Sequence, residues 1–259
     1  MPPSLQDALT AFESSAVPGV WPYITKADLL SDLRVTVNDP LNVNQGFTPL
    51  CGPAAVVYEL VRRDPVFFVQ ICQQLFETGQ FAARTGRIVQ PSDTLRNSRV
   101  RTGITTVDWM VMATVRDSEN LLFHVDADAP DFVTGISNPW EVKGWTAELL
   151  GYHNVSFQPI LFYGECEALQ RAQTIRDQGG VAFLLINVAL LGSPKPAIPI
   201  PDHWIDFLGN LQIDPEVWDR RRIGQIHFDC YTWGGIRHLD INEKTFEACF
   251  FGMVTGRPS

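Results

Sequence analysis

Cys51 immediately precedes Gly52-Pro53 and a run in which Ala54, Val57, Leu60 and Val61 recur at helical spacing. Proline suits the first turn of a helix, so the thiol is placed at a helix N-terminus. Unpaired N–H groups and the positive end of the helix dipole there favour thiolate over thiol, and the thiolate is the nucleophile. Gln45 lies six residues upstream, across a loop containing Gly46 and Pro49. A side-chain amide held in such a loop can donate to the oxyanion that forms on an attacked carbonyl, beside the Cys51 backbone N–H. The chemistry these residues suit is acyl transfer.

The elements that must hold them follow from pattern. Residues 1–44 read as a Pro- and Asp-punctuated N-terminal extension with one short helix near 26–33. The nucleophile helix spans 52–63; Asp64-Pro65 ends it and caps a second helix reaching Thr78, with Gly79 as its breaker. Further helices are expected at 106–116, 139–150 and 165–177. Strands are expected at 155–163, 181–190, 203–208, 226–232 and 246–254. Helices dominate the first half and strands the second, which predicts α+β. The expected division is a catalytic domain over 45–259, with a helical lobe over about 45–152 and a β lobe over about 153–259.

Bulk composition narrows the classes. The 259 residues are 45% hydrophobic and 19% charged, enough for a sizeable core and unlike a disordered chain. Twenty-nine acidic residues against 20 basic give a net charge of −9, which argues against nucleic acid or an anionic membrane as main partner. The cluster Arg220-Arg221-Arg222 is short and reads as a solvated loop. The five cysteines are widely spaced and include no CxxC pair, so zinc or disulfide exchange has little support and a reducing site of action fits. The first twenty residues do not read as a signal peptide, and the most apolar run, 181–191, is too short to span a bilayer. A soluble protein is expected, one that leaves its cell, if at all, by a leaderless route.

Asn44-Gln45-Gly46, followed by Cys51-Gly52 at the head of a helix, resembles the active-site segment of the papain-like cysteine hydrolases. The resemblance implies a two-lobe fold with a central nucleophile helix and an antiparallel β lobe. It also implies a histidine opening a strand far downstream; Asp202-His203-Trp204-Ile205, 152 residues after Cys51, supplies it. It further implies an orienting residue on a later strand that ends in Trp-Gly, here Trp233-Gly234. Counting back places that residue on Tyr231, which cannot orient an imidazole as an amide or carboxylate does. Asp229, two residues earlier and hence on the same strand face, is the expected third member. Trp233 is the expected shield of the His–Asp bond, and residues 210–222 read as an inserted loop. Asp202 and Asp206 are rivals to Asp229, but on a strand both face away from the His203 ring. His124, His153, His227 and His238 are rivals to His203. Cys72, Cys166, Cys230 and Cys249 read as small buried hydrophobes.

The set therefore consists of Cys51 as nucleophile, His203 as base, Asp229 as orienter and Gln45 as oxyanion donor, with no cofactor and no metal. The pattern is closest to papain-fold bacterial effectors and toxins. That implies a narrow-specificity protease acting on a protein substrate, with a cognate inhibitor or immunity protein as a further partner. A glutamine deamidase would use the same residues. An inactive papain-fold binding module is the reading from another class, and the joint presence of Gln45, Cys51 and His203 argues against it. A cell-wall amidase is a weaker rival, since a second histidine is common there.

Overall fold

The computed structural model describes residues 3–120, 136–160, 164–192, 197–214 and 224–258. The chain is mixed α+β and divides into two compact units, Met1–Ser137 with Glu148–Gly151, and Asn138–Ala147 with Tyr152–Ser259.

The first unit is helical. Its helices α1 (Leu5–Ser14), α2 (Lys26–Asn38), α3 (Cys51–Arg63) and α4 (Pro65–Thr78) are followed by a two-stranded ribbon of β1 (Phe81–Ala82) and β2 (Ile88–Val89). A short α5 (Asp93–Arg96) precedes a longer helical stretch made of α6 (Thr106–Asp108), a π turn (Trp109–Ala113) and α7 (Thr114–Asn120). Each start has a chemical cause. Ser4 and Asp7 form a reciprocal capping box on α1, and Thr25 caps α2. Asp64 accepts from the Phe67 N–H at the head of α4, and Gly79 ends it in the left-handed region at φ 78°. The core includes Phe12, Leu29, Leu33, Val57, Phe68 and Leu75, and the Trp21 indole donates to the Leu75 carbonyl at 2.8 Å. The expected N-terminal extension therefore holds two core-forming helices, α1 and the longer α2, where the sequence pattern gave one short helix.

The second unit is built on one antiparallel sheet in the order β3-β8-β4-β5-β6-β7. Its strands are β3 (Ser156–Pro159), β4 (Val181–Ile186), β5 (His203–Asp214), β6 (Gln225–Thr232), β7 (Gly235–Asn242) and β8 (Phe250–Gly256). The apolar cluster under it includes Leu184, Ile205, Phe207, Phe228 and Met253, joined by Leu169 and Ala172 of α9 (Glu165–Asp177). Helix α8 (Pro139–Leu150) straddles the division: its first turns group with this unit and its last residues with the first.

Several elements depart from the sequence reading, among them the strand expected at 181–190, which ends at Ile186. The strand expected at 246–254 begins as helix α10 (Glu243–Cys249), capped by the Asn242 side chain, and only then becomes β8. Strand β5 runs on to Asp214, so the first part of the expected 210–222 loop is strand; a Gly209 at φ 104° and an Asn210 at φ 57° carry it through two register shifts. Residues 215–223, with the arginine cluster, lie outside the described residues, as does His124. Strand β7 has no counterpart in the sequence reading. It is an edge strand whose Ile236, Arg237 and His238 are all exposed, so it lacks an inward apolar alternation. Among the described residues, no helix is long and apolar enough to cross a membrane.

Candidate active site

The candidate residues divide between the units. Gln45 and Cys51 belong to the first; His203, Asp229, Thr232 and Trp233 belong to the second.

Cys51 is the first residue of α3, after Leu50, which offers no side-chain cap. Cys51 is only 4% exposed, so a substrate needs a narrow approach to its sulfur. The other four cysteines form no disulfides. Burial, with Glu243 beside the thiol, pushes Cys166 up to about 11, and burial pushes Cys230 up to about 12.

The loop leading to Cys51 is held by its own backbone. The Asn44 side-chain oxygen accepts from the Gly46 N–H at 2.8 Å. Gly46 has φ 57°, and a Cβ there would stand 2.3 Å from the Gly103 carbonyl oxygen, so only glycine fits. The Gln45 amide donates to the Thr48 carbonyl at 3.0 Å, and the Thr48 hydroxyl returns a bond to the Gln45 carbonyl at 2.6 Å. Gln45 is buried, with its side chain pinned and one amide hydrogen committed inside the loop.

Asp108 anchors the same loop. Its carboxylate accepts from the Asn44 N–H at 3.0 Å while the residue is fully buried, and its other oxygen finds no partner among the described residues. Burial raises this carboxyl to about 7. The sequence reading passed over Asp108 because a lone Asp in a helix gives no local signal. Thr105, three residues earlier and capping α6, marks only a helix start. A cavity of about 210 Å³ adjoins this region, bordered by Thr48, Pro49 and Leu50 and, among others, by Leu95, Arg101 and Trp109.

In the second unit, His203 opens β5 opposite Ile186 of β4. Its ring is buried, and Nε2 lies 2.7 Å from the Thr232 hydroxyl. Nδ1 makes no hydrogen bond among the described residues. The indole of Trp233 stacks on the imidazole with ring centroids 4.6 Å apart. Thr232 pairs with Gly235, leaving Trp233-Gly234 as a two-residue hairpin turn with φ of 49° and 70°. Both central residues of a type I′ turn need positive φ, which Asn and Gly accept easily and tryptophan does not. A strained tryptophan aimed at a buried histidine is a feature of functional sites. Burial lowers His203 to about 4, so the resting ring is neutral.

Asp229 is not the partner of His203. The β5–β6 register sets it opposite Gly209, six residues along the strand from His203, where its carboxylate accepts from Asn210 and meets Nδ1 of His238. The physical reason is register. Parity along a strand fixes which face a side chain takes, not which neighbour it reaches. The partner is Thr232, directly before the turn. A search for amides and carboxylates alone misses it, although Thr-Trp-Gly as a hairpin end was visible. Asp202 is also committed elsewhere, accepting from the Val188 N–H and the Asn187 amide, and Asp206 lies 3.7 Å from Arg176. His227 pairs loosely with Asp240 on the exposed side of the sheet. Among the described residues, no three His, Cys, Asp or Glu side chains converge as a metal site.

No protein-family model matches the sequence, and no curated protein matches it.

Proposed function

We propose that the chain is a papain-like cysteine hydrolase that cleaves amide bonds in protein substrates, a narrow-specificity protease of the effector type. The observation that carries the reading is His203. Its Nε2 is fixed by a hydroxyl and its face covered by an indole on a strained turn, while Nδ1 has no partner among the described residues. That arrangement prepares one nitrogen for proton transfer.

In this reading neutral His203 accepts the Cys51 proton as the sulfur attacks the amide carbonyl. The S–C bond forms, the oxyanion is held by the Cys51 N–H and the remaining amide hydrogen of Gln45, and the C–N bond breaks as His203 returns the proton to the leaving amine. Water, deprotonated by the same ring, then hydrolyses the thioester. Thr232 takes the orienting role. The cavity bordered by Thr48, Pro49 and Leu50, which mixes apolar groups such as Leu95 and Trp109 with the charged Arg101 and Asp117, suits a substrate side chain.

Cys51→Ala is expected to lower amide hydrolysis to background, a loss of up to roughly 10⁶-fold. Its melting temperature should stay within a few degrees, since trimming one sulfur costs about 1 kcal/mol. Iodoacetamide should label Cys51 ahead of Cys166 and Cys230, whose thiols burial pushes up to about 11 and about 12. Full activity in the alanine variant, or equal labelling of Cys166, would sink the proposal. Intact mass of candidate protein substrates separates the outcomes: fragments indicate proteolysis, and a gain of a single dalton per site indicates glutamine deamidation.

A further inference from the structure

We propose that the second unit carries a binding pocket for a phosphate-bearing small molecule, apart from His203 and its partners. A cavity of about 570 Å³ opens between residues 153–156, helix α9 and the end of β8. That volume lies in the range of small-molecule sites. His153, Asn154, Ser156, Arg171, Thr255 and Arg257 supply its polar lining, and among the described residues no carboxylate borders it.

The charge is the telling feature. On a chain of net charge −9, two arginines line one concavity with no acid among the described residues that line it. Arg171 is oriented by a hydrogen bond from Nη1 to Gln158 Oε1 at 3.0 Å, a neutral acceptor that leaves its charge uncompensated. Arg257 makes no ion pair among the described residues. The acidic groups of α9 nearest in sequence turn elsewhere: Asp177 accepts from Gln173, and neither it nor Glu167 borders the pocket. The Ser156 and Thr255 hydroxyls lie 3.2 Å apart and share one proton between them, so the other proton is available to a ligand.

The polar lining thus comes from three parts of the chain, 153–156, α9 and the end of β8. A planar carboxylate is satisfied by a single fork, whereas a tetrahedral dianion uses donors from several sides, and paired arginines are its usual recognition chemistry. The ligand class is therefore a phosphomonoester. The site is separate from the candidate base: Val181 at one end of β4 pairs with Gly256 beside the pocket, and Ile186 at the other end pairs with His203.

The test is titration of the full chain with inorganic phosphate at constant ionic strength, read by calorimetry and by melting temperature, with acetate as the second arm. Saturable phosphate binding is expected, weakened about tenfold or more in Arg171→Gln/Arg257→Gln, because each substitution removes a charge-assisted donor pair. Both side chains are exposed, so the unliganded melting temperature should hardly move. Should the double variant lose its fold, Arg257→Gln alone serves. No saturation, equal affinity in the variant, or acetate binding as tightly as phosphate would each overturn the proposal. Because the readout is binding, failure here leaves the hydrolase proposal untouched, and the reverse.

Discussion

The first unit holds its chemistry-bearing residues through the backbone, and the second holds its own through side chains. Before Cys51, an Asx turn at Asn44, a glycine pressed against the Gly103 carbonyl and a buried Asp108 on a backbone N–H fix a loop. Around His203, a hydroxyl and an indole do the work, and only the turn behind them is unusual. Backbone positioning tolerates most side-chain changes but fails when a Cβ is added at the point of contact. Side-chain positioning fails when one partner loses its polar atom, and the fold barely notices. The buried titratable groups differ as well: the first unit buries Glu59, Asp108 and Glu119, and the second buries the His203 imidazole together with Asp206.

The largest expected effect comes from Gly46→Ala. The added carbon meets the Gly103 oxygen at 2.3 Å and sits at φ 57°, so backbone must move. We expect a destabilisation on the order of 3 kcal/mol, with amide hydrolysis lost in parallel. Gly103→Ala is the control, since its Cβ finds only Phe47 at 3.7 Å and bears the φ penalty alone, about 1 kcal/mol. Equal melting temperatures for the two alanine variants would break the claim that contact with Gly103, rather than positive φ, fixes the loop.

How far such details were legible in the sequence follows the same division. The start of α3, its cap-to-breaker neighbour α4 and the strand opened by His203 are local matters of proline, glycine, aspartate and period, and they stand where the pattern put them. Helix α1 was equally legible, through Ser4, Asp7, Leu9 and Phe12, but was passed over as lead-in. What local pattern does not encode is register. The β5–β6 register sets Asp229 opposite Gly209 and the β6–β7 register sets it opposite His238, and no count along one strand reveals either. Asp108 is hidden for a like reason, its partner Asn44 lying 64 residues away.

The pH dependence of stability should sharpen the contrast between the units. His203 has a folded value of about 4 against an ordinary 6.5, so the unfolded chain binds a proton that the folded one refuses between those values. Its stability contribution is full above about pH 6.5 and lost as pH falls towards 4, on the order of 3 kcal/mol. Asp108, raised from 3.8 to about 7, behaves oppositely: the folded chain keeps a proton that the unfolded chain releases, so stability falls as pH rises from 4 to 7. Glu148, raised to about 7 by burial despite Arg87, adds to the second trend, and Asp202, raised by partial burial, offsets part of the first. Melting curves should therefore show His203→Gln gaining relative to wild type at pH 5, and Asp108→Asn gaining at pH 7. Shifts of the same sign at both pH values would remove the assignment of these two groups.

The smallest effect separates the observed partner of His203 from the expected one. Thr232→Val keeps the shape of a buried side chain and removes the only hydroxyl on Nε2. With its ring no longer held, the base should lose turnover by about 10–100-fold at little change in KM, because orientation acts on the chemical step. The melting temperature should fall modestly, since an unmet polar ring nitrogen costs about 1–3 kcal/mol. Asp229→Asn leaves the Thr232–His203 pair intact and changes only an exposed-side cluster with His238 and Asn210. Its turnover should match wild type within about twofold, and any stability loss should stay below about 1 kcal/mol, as for a surface ion pair. If Asp229→Asn lowers turnover as much as Thr232→Val, the carboxylate reaches the imidazole in the proposed reaction, and the register seen between β5 and β6 does not describe the acting state of the protein.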